Sequence, residues 1–155
     1  MTVTETEAVP ASSRVAVCAA PPTAGRRPDG QDQYTISEVV TFTGLSAYTL
    51  RWYERIGLMS QVDRSNTGQR RFTNRDLDWL NFVGKLRLTG MPVAKMVRYA
   101  ELVREGEDTF EERQELLEET RRDVRLRIAE LDDTLSVLDF KIGFYADARR
   151  ASERF

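Results

Sequence analysis

The stretch LSAYTLRWYERIGL, residues 45–58, combines two arginines and three aromatic residues with aliphatic side chains and has a glycine near its end. On a helix with about 100° per residue, its packing residues and its basic residues fall on opposite sides. The packing side holds Leu45, Thr49, Leu50, Tyr53 and Ile56, and the basic side holds Tyr48, Arg51 and Arg55. We therefore predict a helix that packs on one side and presents cations on the other.

Helix caps around this stretch predict a second, preceding helix. Thr35 and Glu38 have the spacing of a capping box, and a short helix would run from there to Gly44. Ser46 can cap the basic helix, which ends at Gly57 because glycine adopts a left-handed conformation at little cost. Two short helices joined by a tight turn that contains glycine form a helix-turn-helix pattern.

A basic hairpin is predicted next. The sequence LMSQVDRSNTGQRRF, residues 58–72, has turn-forming residues at its centre, and Val62 and Phe72 flank them. This pattern predicts a short two-stranded wing beside the helix-turn-helix. Guanidinium groups suit phosphate oxygens and guanine edges, and the wing carries three of them, on Arg64, Arg70 and Arg71. The favoured hypothesis is a helix in the major groove with the wing along the DNA backbone.

Two further helices are predicted after the wing. Thr73 and Asp76 have the spacing of a helix cap, and apolar residues then recur at helical spacing. Those residues are Leu77, Leu80, Val83 and Leu86. Gly90 would end this helix, and Pro92 suits the first turn of the next one. The predicted apolar side of that fourth helix consists of Val93, Met96, Val97 and Ala100.

The last part of the chain has a heptad pattern. After a predicted cap at Thr109, large and apolar residues alternate at steps of four and three over about five heptads. The positions that we assign to dimerisation are Leu117, Val124, Ile128, Leu131, Leu135 and Leu138. The alternative is that this seam packs within the chain, but the preceding domain is small and could shield only part of a helix roughly 50 Å long. We favour self-association.

Charge is distributed unevenly along the 155 residues. Residues 34–104 hold 11 Lys and Arg against 6 Asp and Glu, whereas residues 105–155 hold 9 against 15. A basic block followed by an acidic block suggests that the first one meets a polyanion. Residues 1–33 contain four of the five prolines and few residues that could form a core, so we expect a disordered tail there.

Composition argues against several classes of protein. The sequence has no histidine and only one cysteine, Cys18, so we expect no zinc, copper or haem site and no cofactor. No nucleophile or carboxylate pair stands in a recognisable arrangement, which argues against an enzyme. No apolar run approaches the length that spans a bilayer, so we expect a cytoplasmic protein without membrane contact.

The sequence resembles the MerR-type transcription regulators. The likeness runs through YTISEVVTFTGLSAYTLRWYERIGL, the wing RSNTGQRRF, the helix TNRDLDWLNFVGKLRLTGM and then the long terminal helix. It implies a mainly α fold with a winged helix-turn-helix domain at 34–105, a helix at 106–145 that dimerises as an antiparallel coiled coil, and a short tail at 146–155. It also implies that the dimer binds a palindrome in double-stranded promoter DNA. The DNA would be kinked and untwisted so that RNA polymerase engages both promoter elements.

The resemblance also assigns contacts to individual residues. Arg51 and Tyr53 match the family's Arg-x-Tyr, which contacts DNA from the recognition helix. Tyr48 lies where a side chain that contacts a base or phosphate is often found. Arg64 and Arg70 match wing arginines that touch phosphates.

Aromatic residues near the coil are candidates for an effector site. Metal-responsive members of the family carry cysteines at the start of the long helix and beyond its end, and these regions contain none here. A small-molecule effector would bind near the coil, where Tyr99, Phe140, Phe144 and Tyr145 could line an apolar pocket. The alternative is that these aromatic residues belong to the core and the dimer packing.

Two other functions share parts of this pattern. An excisionase-like or architectural DNA-binding accessory protein has a winged helix but does not regulate a promoter, and a coiled-coil adaptor would use the basic face to bind another protein. The long helix argues against the accessory protein, because such small proteins seldom need one. Salt-dependent affinity for duplex DNA distinguishes the adaptor from the other two.

Overall fold

The computed structural model describes residues 30–154, so Cys18 and most of the predicted tail, residues 1–33, lie outside the described residues. The chain is mainly helical, with a two-stranded antiparallel hairpin. In chain order the elements are α1 (Ile36–Thr43), α2 (Ala47–Arg55), β1 (Asp63–Arg64), β2 (Arg70–Arg71), α3 (Asn74–Leu88), α4 (Val93–Glu105), a short 3-10 helix (Glu107–Thr109) and α5 (Phe110–Ser152). These elements form two compact units, of which one ends at Thr109 and the other begins at Phe110.

The helix-turn-helix forms as predicted because both of its helices are capped. The Glu38 amide donates a hydrogen bond to the Thr35 hydroxyl at 3.3 Å, and the Thr35 amide donates one to the Glu38 carboxylate at 2.7 Å. Gly44 ends α1 with a φ of 70°, a left-handed conformation that glycine adopts without strain. The Thr49 amide then donates to the Ser46 hydroxyl at 3.0 Å, which caps α2. Helix α2 therefore starts at a defined point after a tight turn.

The wing is a short hairpin fixed to the start of the domain. Arg64 pairs with Arg70 in antiparallel register, which confirms the predicted hairpin. Beside it, Tyr34 and Phe72 exchange two backbone hydrogen bonds of 2.8 and 2.9 Å. Both of these aromatic side chains are buried, so the base of the wing is part of the core rather than a free ribbon.

The folded region begins slightly before residue 34. The Tyr34 hydroxyl donates a hydrogen bond to the Gln31 carbonyl at 2.9 Å. The Asn74 amide donates one to the Asp32 carboxylate at 2.8 Å, which helps to satisfy the first turn of α3. Gln31 and Asp32 therefore belong with the domain and not with the predicted tail.

Helices α3 and α4 supply much of the core against which α2 is held. The predicted apolar positions of α3 are all buried, namely Leu77, Leu80, Val83 and Leu86. Trp79 stacks on Tyr99 with ring centroids 6.2 Å apart, and its indole N–H donates to the Leu58 carbonyl at 2.8 Å. Burying one aliphatic side chain of α3 contributes about 1.5–3 kcal/mol. This core holds Trp79 in place, and the hydrogen bond from Trp79 then fixes the chain after α2 at Leu58.

The apolar side of α4 differs from the prediction. Met96 and Ala100 are buried as expected, but Val93 is 40% exposed, and Tyr99 and Leu102 are buried as well. Pro92 is the residue before the helix and not part of its first turn. The first turn of α4 therefore contributes less to the core than the sequence pattern indicated.

Helix α5 is 43 residues long, roughly 65 Å at 1.5 Å per residue. It continues to Ser152 and so includes most of residues 146–155, which we expected to be a tail. The Thr109 hydroxyl, predicted to cap the helix, donates instead to the carbonyls of Leu102 and Gly106 at 2.7 and 2.8 Å. Among the described residues, no helix combines the length and the apolar character needed to cross a bilayer.

Candidate nucleic-acid interface

Helix α2 has one buried side and one exposed side, as its sequence predicted. Leu50 and Tyr53 are each only 1% exposed, whereas Tyr48 is 71% exposed. Arg51 and Arg55 are also exposed, and nowhere in residues 30–154 does either guanidinium form an ion pair. The exposed side therefore presents two available cations and a phenol.

Tyr53 does not belong to that exposed side, and its assignment to DNA contact is corrected. Its ring is buried in the core, and its hydroxyl accepts a hydrogen bond from the Arg87 guanidinium at 2.8 Å. The neighbouring Trp52 is half-buried, with its ring centroid 5.6 Å from that of Tyr53. Tyr53 connects α2 to α3 and acts in packing, because a side chain without exposed surface offers DNA no contact.

The three wing arginines occupy different environments. Arg64 is exposed, and its guanidinium donates to the Gly68 carbonyl across the turn at 3.0 Å. Arg70 is largely covered, and its Nε donates to a Glu54 carboxylate oxygen at 3.1 Å, with side-chain exposures of 20% and 14%. Arg71 is half-buried, and its Nη1 finds no hydrogen-bond partner among the described residues. All three are predicted to bind DNA, and the resemblance assigns phosphate contacts to Arg64 and Arg70, but Arg64 alone among them has an exposed side chain.

Arg71 contributes to the electrostatics of the α1 cap. The backbone amide and the hydroxyl of Thr35, followed by the side-chain amide of Gln31, donate hydrogen bonds to Glu38 and hold its carboxyl pKa below the ordinary value. The Arg71 guanidinium adds a smaller effect of the same sign. These contacts favour the ionised carboxylate of Glu38. The negative charge stabilises the first turn of α1, because anions stabilise a helix N-terminus.

A groove with a volume of about 610 Å³ lies between α2 and the wing. We call it the α2–wing groove, and its lining residues are Tyr48, Arg51, Glu54, Arg55, Gln61 and Arg70. Three guanidinium groups and one carboxylate face this groove, so it can attract a polyanion. Sequence reasoning missed Glu54 and Gln61. The position of Glu54, three residues after Arg51, could have indicated that it shares the basic side of α2.

The residues proposed for an effector pocket do not share one environment. Tyr99 is buried, and its ring lies 5.6 Å from that of Phe82 as well as on Trp79, so it is a core residue and its assignment to a pocket is corrected. Phe140, Phe144 and Tyr145 are all more than half exposed on α5. Phe140 and Phe144 lie within about 40° of each other around the axis of α5, whereas Tyr145 lies about 140° from Phe140 and contacts the Phe144 ring, at a centroid distance of 5.4 Å.

The dimerisation positions on α5 are mostly exposed within one chain. Leu117 and Val124 are half-buried, and Ile128, Leu131, Leu135 and Leu138 are between 51% and 57% exposed. At about 100° per residue they lie on one side of α5, and Phe140 and Phe144 lie on the opposite side.

In residues 30–154, no three His, Cys, Asp or Glu side chains are grouped closely enough to hold a metal ion.

A family model and several known proteins match this chain. The model of the MerR HTH family of regulatory proteins matches residues 34–102. An uncharacterized HTH-type transcriptional regulator of Haemophilus influenzae is 42% identical over 116 residues, which are 75% of this chain and 86% of that protein. The HTH-type transcriptional regulator AdhR of Bacillus subtilis is 36% identical over 87 residues, which are 56% of this chain and 62% of that protein.

Solved structures are similar as well. HiNmlR, described as a MerR family regulator that lacks the sensor domain, was crystallised bound to promoter DNA. It is 42% identical, has a TM-score of 0.68, and the match covers 76% of this chain and 93% of HiNmlR. A putative MerR family transcriptional regulator from Listeria monocytogenes is 40% identical, with a TM-score of 0.69 and coverage of 72% of this chain and 85% of that one.

Proposed function

Because this chain belongs to the MerR family of helix-turn-helix transcription regulators, and so is a regulator rather than an enzyme, we propose that it acts as a homodimer on palindromic promoter DNA. The dimer distorts the DNA and thereby controls transcription by RNA polymerase. The observation that carries this proposal is the exposed basic side of α2, with Tyr48, Arg51 and Arg55 beside the wing. A cytoplasmic location follows, because the promoter and the polymerase are there.

In the proposed complex, residues of α2 contact bases and the wing contacts the DNA backbone. Arg51 and Arg55 extend from a short helix that a major groove can admit, and arginine recognises guanine O6 and N7 in bidentate fashion. Tyr48 lies one turn earlier on the same side and adds a contact to a base or to the backbone. Arg64, exposed on the wing, reaches phosphate and fixes the register of the protein on the duplex. That HiNmlR was crystallised with promoter DNA supports this use of the fold.

The seam of α5 supports dimerisation. Four of its six proposed residues are more than half exposed in one chain, and covering the exposed half of each of these side chains contributes roughly 1 kcal/mol. A second copy of α5, running antiparallel, covers them in both chains. The resulting two-fold axis relates two recognition helices, which is why we expect a palindromic site. In this scheme residues 34–105 bind DNA and residues 106–145 dimerise.

Contacts spread over two elements support the proposed DNA distortion. A protein that bends DNA must offset a cost of about 1–6 kcal/mol for a 20–30 bp site with additional contacts. Helix α2 and the wing provide such contacts on both sides of the groove, and the dimer doubles them. For a small-molecule effector we propose the exposed aromatic side of α5 that carries Phe140 and Phe144, bordered by Tyr145, whose ring centroid lies 5.4 Å from that of Phe144.

One experiment tests the proposed function. Duplexes retained by the purified protein are selected from genomic DNA of the source organism, and their affinity is measured at several salt concentrations. We expect palindromic sites within promoters and a linear fall of log affinity with log salt concentration. Sites outside promoters would favour an accessory protein, and absence of salt-dependent binding to any duplex would overturn DNA binding altogether.

A further inference from the structure

A carboxylate lies among the cations of the α2–wing groove. Glu54, in the last turn of α2, accepts a hydrogen bond from Arg70 Nε of the wing at 3.1 Å. The partners are 16 positions apart in sequence and come from two different elements. Each side chain is at least four-fifths covered, with exposures of 20% for Arg70 and 14% for Glu54. This ion pair is therefore a direct side-chain link between the recognition helix and the wing.

The pair changes what Arg70 can contribute to DNA binding. Its Nε is occupied and its charge is neutralised at close range, whereas Arg51 and Arg55 on the same groove carry no such partner among the described residues. Salt screens a partly covered pair less than it screens an exposed one, so the link is less sensitive to ionic strength than an exposed ion pair would be. Charge-assisted hydrogen bonds to a guanidinium are also directional, which fixes the orientation of Arg70 relative to α2.

We propose that Glu54 is a specificity-determining residue. It holds Arg70 against α2, which keeps one cation away from phosphate and sets the distance between the wing and the recognition helix. Phosphate contacts strengthen binding to every duplex, whereas base contacts discriminate between sequences. Restraining Arg70 therefore lowers the affinity for arbitrary DNA more than the affinity for the proper site. This inference rests on the proposed function, because it concerns the same groove.

Glu54→Gln tests the proposal, since glutamine has nearly the same shape but no charge. Affinity is measured from low to high salt for two probes, a duplex selected by the wild-type protein from a random library and a scrambled duplex of equal composition. We expect Arg70 to reach a phosphate in this variant. Each added phosphate contact steepens the slope of log affinity against log salt by about 0.9. Affinity for the scrambled duplex should rise several-fold at low salt, and the ratio of specific to non-specific affinity should fall.

Two further variants separate this mechanism from a general charge effect. In the double variant Glu54→Gln/Arg70→Gln the released cation is absent, so the salt slope should return to the wild-type value. Asp63→Asn removes the same charge from an exposed residue of β1 that does not line the groove. It should leave the slope unchanged. Thermal unfolding of each variant identifies any change in DNA affinity that comes from a loss of fold.

The outcomes are distinct. If Glu54→Gln leaves the salt slope and the specificity ratio unchanged, Glu54 does not restrain Arg70 and the inference is wrong. A slope in the double variant below that of the wild type would mean that Arg70 already contacts phosphate in the wild-type protein, which also overturns it. Loss of specific affinity in Glu54→Gln without a steeper slope would assign Glu54 to direct base reading instead. If the wild-type protein binds neither probe in a salt-dependent way, the proposed function fails and this inference fails with it.

Discussion

Helices α2 and α5 both carry an apolar side, but that of α2 is largely covered by its own chain, whereas that of α5 is largely exposed. Leu50 and Tyr53 of α2 are 1% exposed, whereas Leu131 and Leu135 of α5 are 57% and 54% exposed. The two patterns look alike in the sequence, since each repeats at helical spacing. An apolar side predicts that something covers it, and the periodicity alone does not say whether the cover is another element or another molecule.

The difference in how far their apolar sides are covered indicates different roles for the two helices. Helix α2 needs a rigid core beneath it because its opposite side must present charges in a fixed geometry. Helix α5 has little core of its own, and in the proposed dimer it would gain stability through its partner, so that its surface would determine the distance between two copies. We expect substitutions on the apolar side of α5 to affect assembly and substitutions on α2 to affect either stability or DNA binding.

The largest expected effect is on assembly. Leu131→Glu/Leu135→Glu places four charges in the seam of a dimer and removes four half-exposed leucine side chains from it, each contributing roughly 1 kcal/mol when a partner covers it. We expect loss of roughly 4 kcal/mol or more of dimerisation free energy, a monomer in sedimentation, and much weaker binding to a palindrome.

A substitution on the other side of α5 provides the control. Val137 is 63% exposed and lies about 120° from Leu131 around the helix, so Val137→Glu should leave the dimer intact. A dimer that survives Leu131→Glu/Leu135→Glu would contradict the assignment of the seam.

Arg51→Ala has the next largest expected effect and acts on the exposed side of α2. If the guanidinium reads a base, its loss costs about 1–3 kcal/mol of specific binding and relaxes the preference at one position of the site. Affinity is measured for the selected duplex and for single-base variants of it. Arg122→Ala removes an exposed arginine from α5 and serves as the matched control. Equal effects of the two substitutions would remove Arg51 from base recognition.

Tyr53→Phe tests the buried side of the same helix. The change removes the hydroxyl that accepts a hydrogen bond from Arg87 but keeps the ring in the core. We expect a loss of about 1–2 kcal/mol in the free energy of unfolding, measured in urea, with little change in affinity for the selected duplex. A tenfold loss of DNA affinity in a protein of unchanged stability would show that the hydroxyl acts at the DNA after all.

Local features of the fold could be predicted well from the sequence. The caps at Thr35 and Ser46 and the hairpin turn depend on residues within a few positions of one another, so the sequence contains the information that determines them. The exposed side of α2 was predicted for the same reason, since the helical period alone separates Arg51 from Leu50.

Features that depend on tertiary contacts could not be predicted in this way. The pairing of Glu54 with Arg70 requires that the wing fold back on α2, and the burial of Tyr53 under Arg87 requires the position of α3. The exposed Val93 likewise depends on how α4 packs, which a pattern of apolar residues does not determine. Resemblance to a family assigned Tyr53 to DNA because a motif records which residue types recur and not which way each side chain points.

The smallest expected effect concerns the cap that starts α1, the helix that α2 follows across the tight turn. Hydrogen bonds from Thr35 and Gln31 and the charge of Arg71 hold the Glu38 pKa below its ordinary value, which is about 4.3 for glutamate. A lowered pKa in the folded state stabilises the protein above the unfolded pKa, and this stabilisation is lost as the pH falls through the folded pKa.

Glu38→Gln should therefore lower the urea midpoint slightly at pH 7, and the difference from the wild type should shrink on acidification below about pH 4. Glu115→Gln, which removes an exposed carboxylate of α5, should not reproduce this convergence. A gap between wild type and Glu38→Gln that widens toward acid pH would mean that the cap is not held as a carboxylate.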